Sequence, residues 1–177
     1  RGAGAEKDSP CLLDHILDIS RQKGTGKWTN EEGLNLGTDL SVLTAGLNAR
    51  YISEDKGLRV KASELLPAGI PDEEAAPLSD EELADAFLLA RTIAYAQGFA
   101  LYRAASREYG WGLDYKAIAA TFREGCIIRS ALLTPIMEAY ARDPELENLL
   151  LTENFAEVLT RGIKPLRRLV SAAALSG

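Results

Sequence analysis

Residues 79–110 read SDEELADAFLLARTIAYAQGFALYRAASREYG, and this stretch decides the fold. Ser79 followed by Glu82 has the form of a capping box, in which hydroxyl and carboxylate satisfy backbone donors that a helix start leaves without partners. No proline interrupts residues 80–109, and Gly110 is suited to the left-handed conformation that ends a helix. The stretch therefore predicts one helix over Asp80–Tyr109, about 45 Å long at 1.5 Å per residue. Leu83, Phe87, Ala90, Ala94, Leu101 and Ala105 follow helical spacing along it. Ala84, Ala86, Ala96, Gly98, Ala100 and Ala104 leave its other faces narrow. Neighbouring helices can approach such a backbone closely, which places the helix at the centre of a bundle. The Gln97-Gly98 pair within it reads as a close-packing point.

Working outward, Thr29 and Glu32 form a second capping box and predict a helix over residues 30–36, ended at Gly37. Asp39 then caps a helix reaching about Ser53, with Leu43, Leu47 and Tyr51 on one face. Downstream, Asp114 caps a helix over residues 115–122, and residues 128–142 read as a helix bent or restarted at Pro135. Asp143-Pro144 opens another, since proline at the first helical position sacrifices no helical hydrogen bond. Residues 165–175 form a last amphipathic segment, whose stripe of Leu166, Leu169, Val170 and Ala173 calls for partners outside it. Residues 67–82, with four prolines or glycines and six acids, read as a mobile surface linker. No strand alternation and no internal repeat occur. The expected fold class is all-α, a multi-helix domain over residues 1–177 with a long central helix.

Composition narrows the function. With 177 residues, 46% of them hydrophobic, the chain can bury one sizeable core. A net charge of −6 argues against a nucleic-acid surface, and no run approaches the ~20 apolar residues of a membrane span. The two cysteines, Cys11 and Cys126, are far apart, so a disulfide framework is not expected and a reducing cytoplasm fits. Cys126 reads as a small buried residue and the single histidine, His15, as an ordinary helix residue. No Cys/His cluster has metal-ligand spacing.

Against this acidic background, residues 22–29, Gln-Lys-Gly-Thr-Gly-Lys-Trp-Thr, stand out. Residues 19–30 contain three basic side chains and no acid. By composition alone this is a solvated surface loop. Its glycines, the Thr25 hydroxyl, the Lys23 and Lys27 ammonium groups and the helix start beyond them also make a generic anion site. A nucleotide P-loop is excluded: Arg21 stands where its first glycine belongs, Trp28 where its magnesium-binding hydroxyl belongs, and no strand precedes. Trp28 reads as an anchor packing the loop against the core.

Taken with Leu47-Asn48-Ala49-Arg50, Ala94-Tyr95-Ala96-Gln97-Gly98-Phe99, Gly125-Cys126-Ile127-Ile128-Arg129 and Asn148-Leu149-Leu150-Leu151, the loop resembles the helical C-terminal domain of decarboxylating 6-phosphogluconate dehydrogenases. The resemblance implies that Lys23, Thr25 and Arg50 bind the phosphate of 6-phosphogluconate. Without it, Arg50 reads as a surface residue able to pair with Glu54. It further implies that the complete enzyme oxidises the substrate 3-hydroxyl by hydride transfer to NADP, and that the 3-keto acid loses carbon dioxide to give ribulose 5-phosphate. The Rossmann domain that mainly binds NADP, with the family's lysine base and glutamate acid, would precede Arg1. A tail lent by the other subunit of a homodimer would follow Gly177. No catalytic residue is then expected here, and the isolated chain is expected to be inactive. The absence of an initial methionine and of a G-x-G-x-x-G motif likewise reads as a piece of a longer protein. The 125–129 block is expected near the cofactor side of the site. Two departures from the family pattern are Asp39 in place of a proline and Asn48 in place of an aromatic residue. Two other readings stay open: a stand-alone helical interaction module, and a related hydroxy-acid dehydrogenase acting on another phosphorylated substrate.

Overall fold

The computed structural model describes residues 12–21, 23–66 and 77–176. Among these, helices are arranged in the order α1 (Thr25–Asn35), α2 (Ser41–Glu54), α3 (Lys56–Leu65), α4 (Asp80–Tyr109), α5 (Tyr115–Thr121), α6 (Leu133–Arg142) and α7 (Glu153–Ser176), with short 3-10 turns at Leu12–His15 and Leu149–Leu151. The described residues contain no strand, as the sequence predicts. Cys11, Gln22 and residues 67–76 of the expected linker lie outside the described residues.

The long helix has its expected bounds. Glu82 N–H donates to Ser79 Oγ at 3.1 Å, Ser79 N–H donates to Glu82 Oε2 at 3.0 Å, and Gly110 ends the helix at φ 66°. Its buried face follows the expected stripe only toward the C-terminal end, where Leu101 and Ala105 are buried. Leu83 and Phe87 are 40% and 63% exposed, whereas Ala86, Leu89, Thr92, Ala96 and Phe99 are buried. The reason is α7, which packs along α4 on the side of Asp85 and Leu89. Gly162 makes that crossing possible: a Cβ there would stand 2.7 Å from Leu89 Cβ and 2.9 Å from the Asp85 carbonyl oxygen. Arg161 pairs with Asp85 at 2.8 Å, and Arg168 pairs with Glu82.

The core lies toward the C-terminal half of α4. Phe99 stacks on Tyr140 with centroids 5.2 Å apart, Tyr115 leans on Tyr140 from α5, and Leu149 and Phe155 close the cluster. Burial, followed by the neighbouring Tyr115, pushes the Tyr140 hydroxyl up to about 12.

Four helix boundaries correct the sequence reading. α1 begins at Thr25 rather than residue 30, so Thr29 is interior and its hydroxyl donates to the Thr25 carbonyl at 2.8 Å instead of capping. α6 begins at Leu133, which puts Pro135 in the first turn, where its missing N–H has no helical partner to lose. Asp143-Pro144 makes a turn, not a helix: Glu145 N–H donates to Asp143 Oδ1 at 3.0 Å, and Leu146 N–H to the Asp143 carbonyl at 3.2 Å. α7 begins at Glu153 and runs through Pro165. The unanticipated α3 is capped by Asp55, whose carboxylate accepts from Leu58 N–H at 3.0 Å.

Candidate phosphate site

Gly24 sets up the loop-to-helix junction. Its φ of 103° is open to glycine and strained for other residues, and it turns the chain directly into α1. No side chain caps this helix start. The amides of the first turn therefore lack intrahelical acceptors and present the positive end of the helix dipole. Arg50 reaches the same place from the last part of α2. Thr25, Thr29 and Asn30 from α1 and Leu43, Gly46 and Arg50 from α2 line one depression of about 340 Å³. It shares Thr29 and Leu43 with a larger apolar hollow of about 520 Å³, walled by Tyr95, Phe99, Tyr102 and Ile128.

Charge pairing separates the cations. Lys27 pairs with Glu31 at 3.4 Å and Arg21 with Glu54 at 3.7 Å. Among the described residues Lys23 and Arg50 take part in no ion pair. Glu54, the partner the sequence offers Arg50, is drawn to Arg21 instead. Thr25 and Arg50 thus meet at one pocket, whereas Lys23 is exposed and is not part of its lining.

Polar contacts invisible to local sequence patterns fix the two helices. Asn30 Nδ2 donates to the Gly26 carbonyl at 2.8 Å, and Thr44 Oγ1 donates to Asn30 Oδ1 across the interface. Gln97 docks the start of α2 on α4. Val42 N–H donates to its Oε1 at 3.1 Å, and its Nε2 donates to Asp39 Oδ2 and Ser41 Oγ, each at 3.0 Å. Hydrogen bonds from the Ser41 amide, then Gln97, hold the Asp39 carboxyl below its ordinary range. Asp39 therefore works as part of this joint. On the other side Asp18 accepts from Lys56 Nζ at 2.5 Å and from Arg59 Nη1 at 3.0 Å, tying the segment that enters the loop to α3.

Two expectations fail nearby. Trp28 is 65% exposed, its indole lying beside Gly24 rather than within the core. Cys126 is only partly buried, in the irregular stretch before α6. Ile127 and Ile128 of the same block do reach the larger hollow.

The family model for the 6-phosphogluconate dehydrogenase C-terminal domain matches residues 3–177. The chain belongs to this family. It is 45% identical over 176 residues to the NADP(+)-dependent, decarboxylating 6-phosphogluconate dehydrogenase of Bacillus subtilis, covering 97% of this chain and 37% of that protein. Identity to the decarboxylating 6-phosphogluconate dehydrogenase of Escherichia coli is 42% over 177 residues, with the same coverage. Plasmodium falciparum 6-phosphogluconate dehydrogenase, solved in its apo form and with NADP+ and 6-phosphogluconate, superposes with a TM-score of 0.83 at 36% identity over 93% of this chain and 36% of its own. The chain thus spans well under half the length of these 6-phosphogluconate dehydrogenases.

Proposed function

We propose that these residues form one helical substrate-binding unit of an NADP-dependent 6-phosphogluconate dehydrogenase. The parent enzyme would be cytoplasmic and dimeric, and would oxidatively decarboxylate 6-phosphogluconate to ribulose 5-phosphate in the pentose phosphate pathway. The observation that carries this reading is the convergence of Thr25, at the uncapped start of α1, and Arg50, without an ion pair among the described residues, on one depression in a chain of this family. Its chemistry is that of a phosphate holder: a guanidinium grips phosphate with paired N–H bonds, and Lys23 adds a point charge.

The depression holds its ligand and does not react with it. Among the described residues no carboxylate or imidazole lines it, so it offers no proton acceptor near neutrality. The described residues contain no strand–glycine turn–helix unit to cradle a dinucleotide, so NADP would be bound mainly by the nucleotide-binding domain of the parent enzyme. We therefore assign hydride and proton transfer to segments outside this chain and none of its residues to catalysis. Among the described residues no cluster of His, Cys, Asp or Glu is arranged to hold a metal, and no helix is long and apolar enough to cross a membrane. Ile127, Leu34 and Trp111 project large apolar surface, which a partner subunit and the nucleotide-binding domain would cover.

The test uses the full-length polypeptide containing these residues. It is expected to reduce NADP and release carbon dioxide from 6-phosphogluconate. Arg50→Ala should raise KM about tenfold to a hundredfold, the loss of a charge-assisted hydrogen bond worth about 1.5–3 kcal/mol, with a smaller change in kcat. An unchanged KM would remove Arg50 from the phosphate site, and a full-length protein inert toward 6-phosphogluconate would overturn the reading.

A further inference from the structure

The α1–α2 hairpin is built as a ladder that ends at the proposed phosphate site. Gly26, Asn30 and Gly33 fall at i, i+4 and i+7 on α1, one face of the helix. They meet Leu47 and Thr44 of antiparallel α2 and Leu40, the residue just before it. A Cβ on Gly26 would stand 3.2 Å from Leu47 Cδ1, and one on Gly33 would stand 2.9 Å from Leu40 Cγ. Between these two leucine-on-glycine rungs lies a single polar one, the hydrogen bond from Thr44 Oγ1 to Asn30 Oδ1. Asn30 is itself tied to its own helix through Nδ2 and the Gly26 carbonyl at 2.8 Å.

The two kinds of rung do different work. Leucine against glycine sets how closely the helices approach but is non-directional along the axis. This partly buried side-chain hydrogen bond is directional and fixes register, a role polar residues also play between paired helices. A slide by one turn would carry Arg50 about 5.4 Å past Thr25, farther than a hydrogen bond can reach.

We propose that Asn30, acting through Thr44, is a positioning residue for the phosphate clamp: the polar rung locks the helix register at which Thr25 and Arg50 face the same phosphate. This rests on the reading of Thr25 and Arg50 as phosphate contacts. Asn30 also lines the depression, so a direct contact with ligand is the competing role. Thr44→Val distinguishes them, because it removes the rung while leaving the Asn30 amide in place.

The experiment measures KM for 6-phosphogluconate, kcat and the inhibition constant of inorganic phosphate in the full-length protein. Variants are Asn30→Ala, Thr44→Val, their combination, Thr44→Ser and Arg50→Ala. Asn30→Ala and Thr44→Val are each expected to raise KM and the phosphate inhibition constant together by about tenfold, with kcat changed less than about twofold. The double variant should be no worse than either single one, and Thr44→Ser should restore both constants. Unchanged constants in Thr44→Val, or a rise in KM without one for phosphate, would overturn the positioning role. If Arg50→Ala raises both constants while Thr44→Val does not, this inference fails and the phosphate reading stands. If Arg50→Ala changes neither constant, the phosphate reading itself fails.

Discussion

Asp18 shows how much one exposed carboxylate can hold. Lys56 first and Arg59 second keep its carboxyl at about 2, against 3.8 for an ordinary aspartate, and Arg59 Nη2 also bonds the Asp18 and Ser53 carbonyls at 2.9 and 3.1 Å. A carboxylate with a depressed value adds stability that is fully present above the unfolded value and is lost as pH falls through the folded one. The melting temperature of the wild-type protein should therefore exceed that of Asp18→Asn at pH 5, and the gap should close as pH falls from about 4 to 2, the window between the two values. Melts of both proteins across that range check this, and a gap independent of pH would show that the ion pairs contribute nothing. At this scale the sequence offered candidates where residues stood in short motifs, as Lys23, Thr25 and Arg50 did. Asn30 with Thr44 and Asp18 with Arg59 did not, because each pairing is made only when separate elements dock. Trp28 was misread for a related reason, since which way an aromatic side chain faces is settled only when its helix docks.

At the scale of elements, the same capping-box pattern had two fates. Ser79 and Glu82 cap α4, whereas Thr29 and Glu32 lie inside α1 because Gly24, with its positive φ, had already started the helix. A local signal decides a boundary only where no stronger one lies upstream. The buried face of α4 was hidden for another reason. Its alanines offer several narrow faces, and α7 chooses among them through Gly162, far away in sequence. Gly162→Ala is expected to destabilise the protein by about 1–3 kcal/mol, because the new methyl group meets a carbonyl and a Cβ that cannot rotate aside. Urea denaturation of the variant checks the value, and a shift below about 0.5 kcal/mol would mean that the crossing opens without strain.

Across the whole molecule, the all-α class and central helix were legible because length, proline placement and capping agree with one another. The assembly of the core was not, since Phe99, Tyr140, Leu149 and Phe155 come from different elements. Phe155 is among the most fully buried side chains. Its replacement by alanine should cost about 3–5 kcal/mol and lower the denaturant midpoint without changing the slope of the transition. A changed slope would instead indicate an altered unfolded ensemble or an intermediate. The ladder of α1 and α2 has one more consequence, for how the chain folds. Its rungs join residues separated by one short turn, while the α4–α7 crossing must bring Leu89 to Gly162 across most of the intervening chain. Local closure is entropically cheap and fast, and distant closure is neither. The α1–α2 hairpin is thus the low-contact-order part of the molecule, and the α4–α7 crossing is the high-contact-order part. Damage to the crossing is expected to shorten the lifetime of the native state, whereas damage to the ladder, on the proposed phosphate reading, is expected to weaken the grip on ligand in a protein that persists.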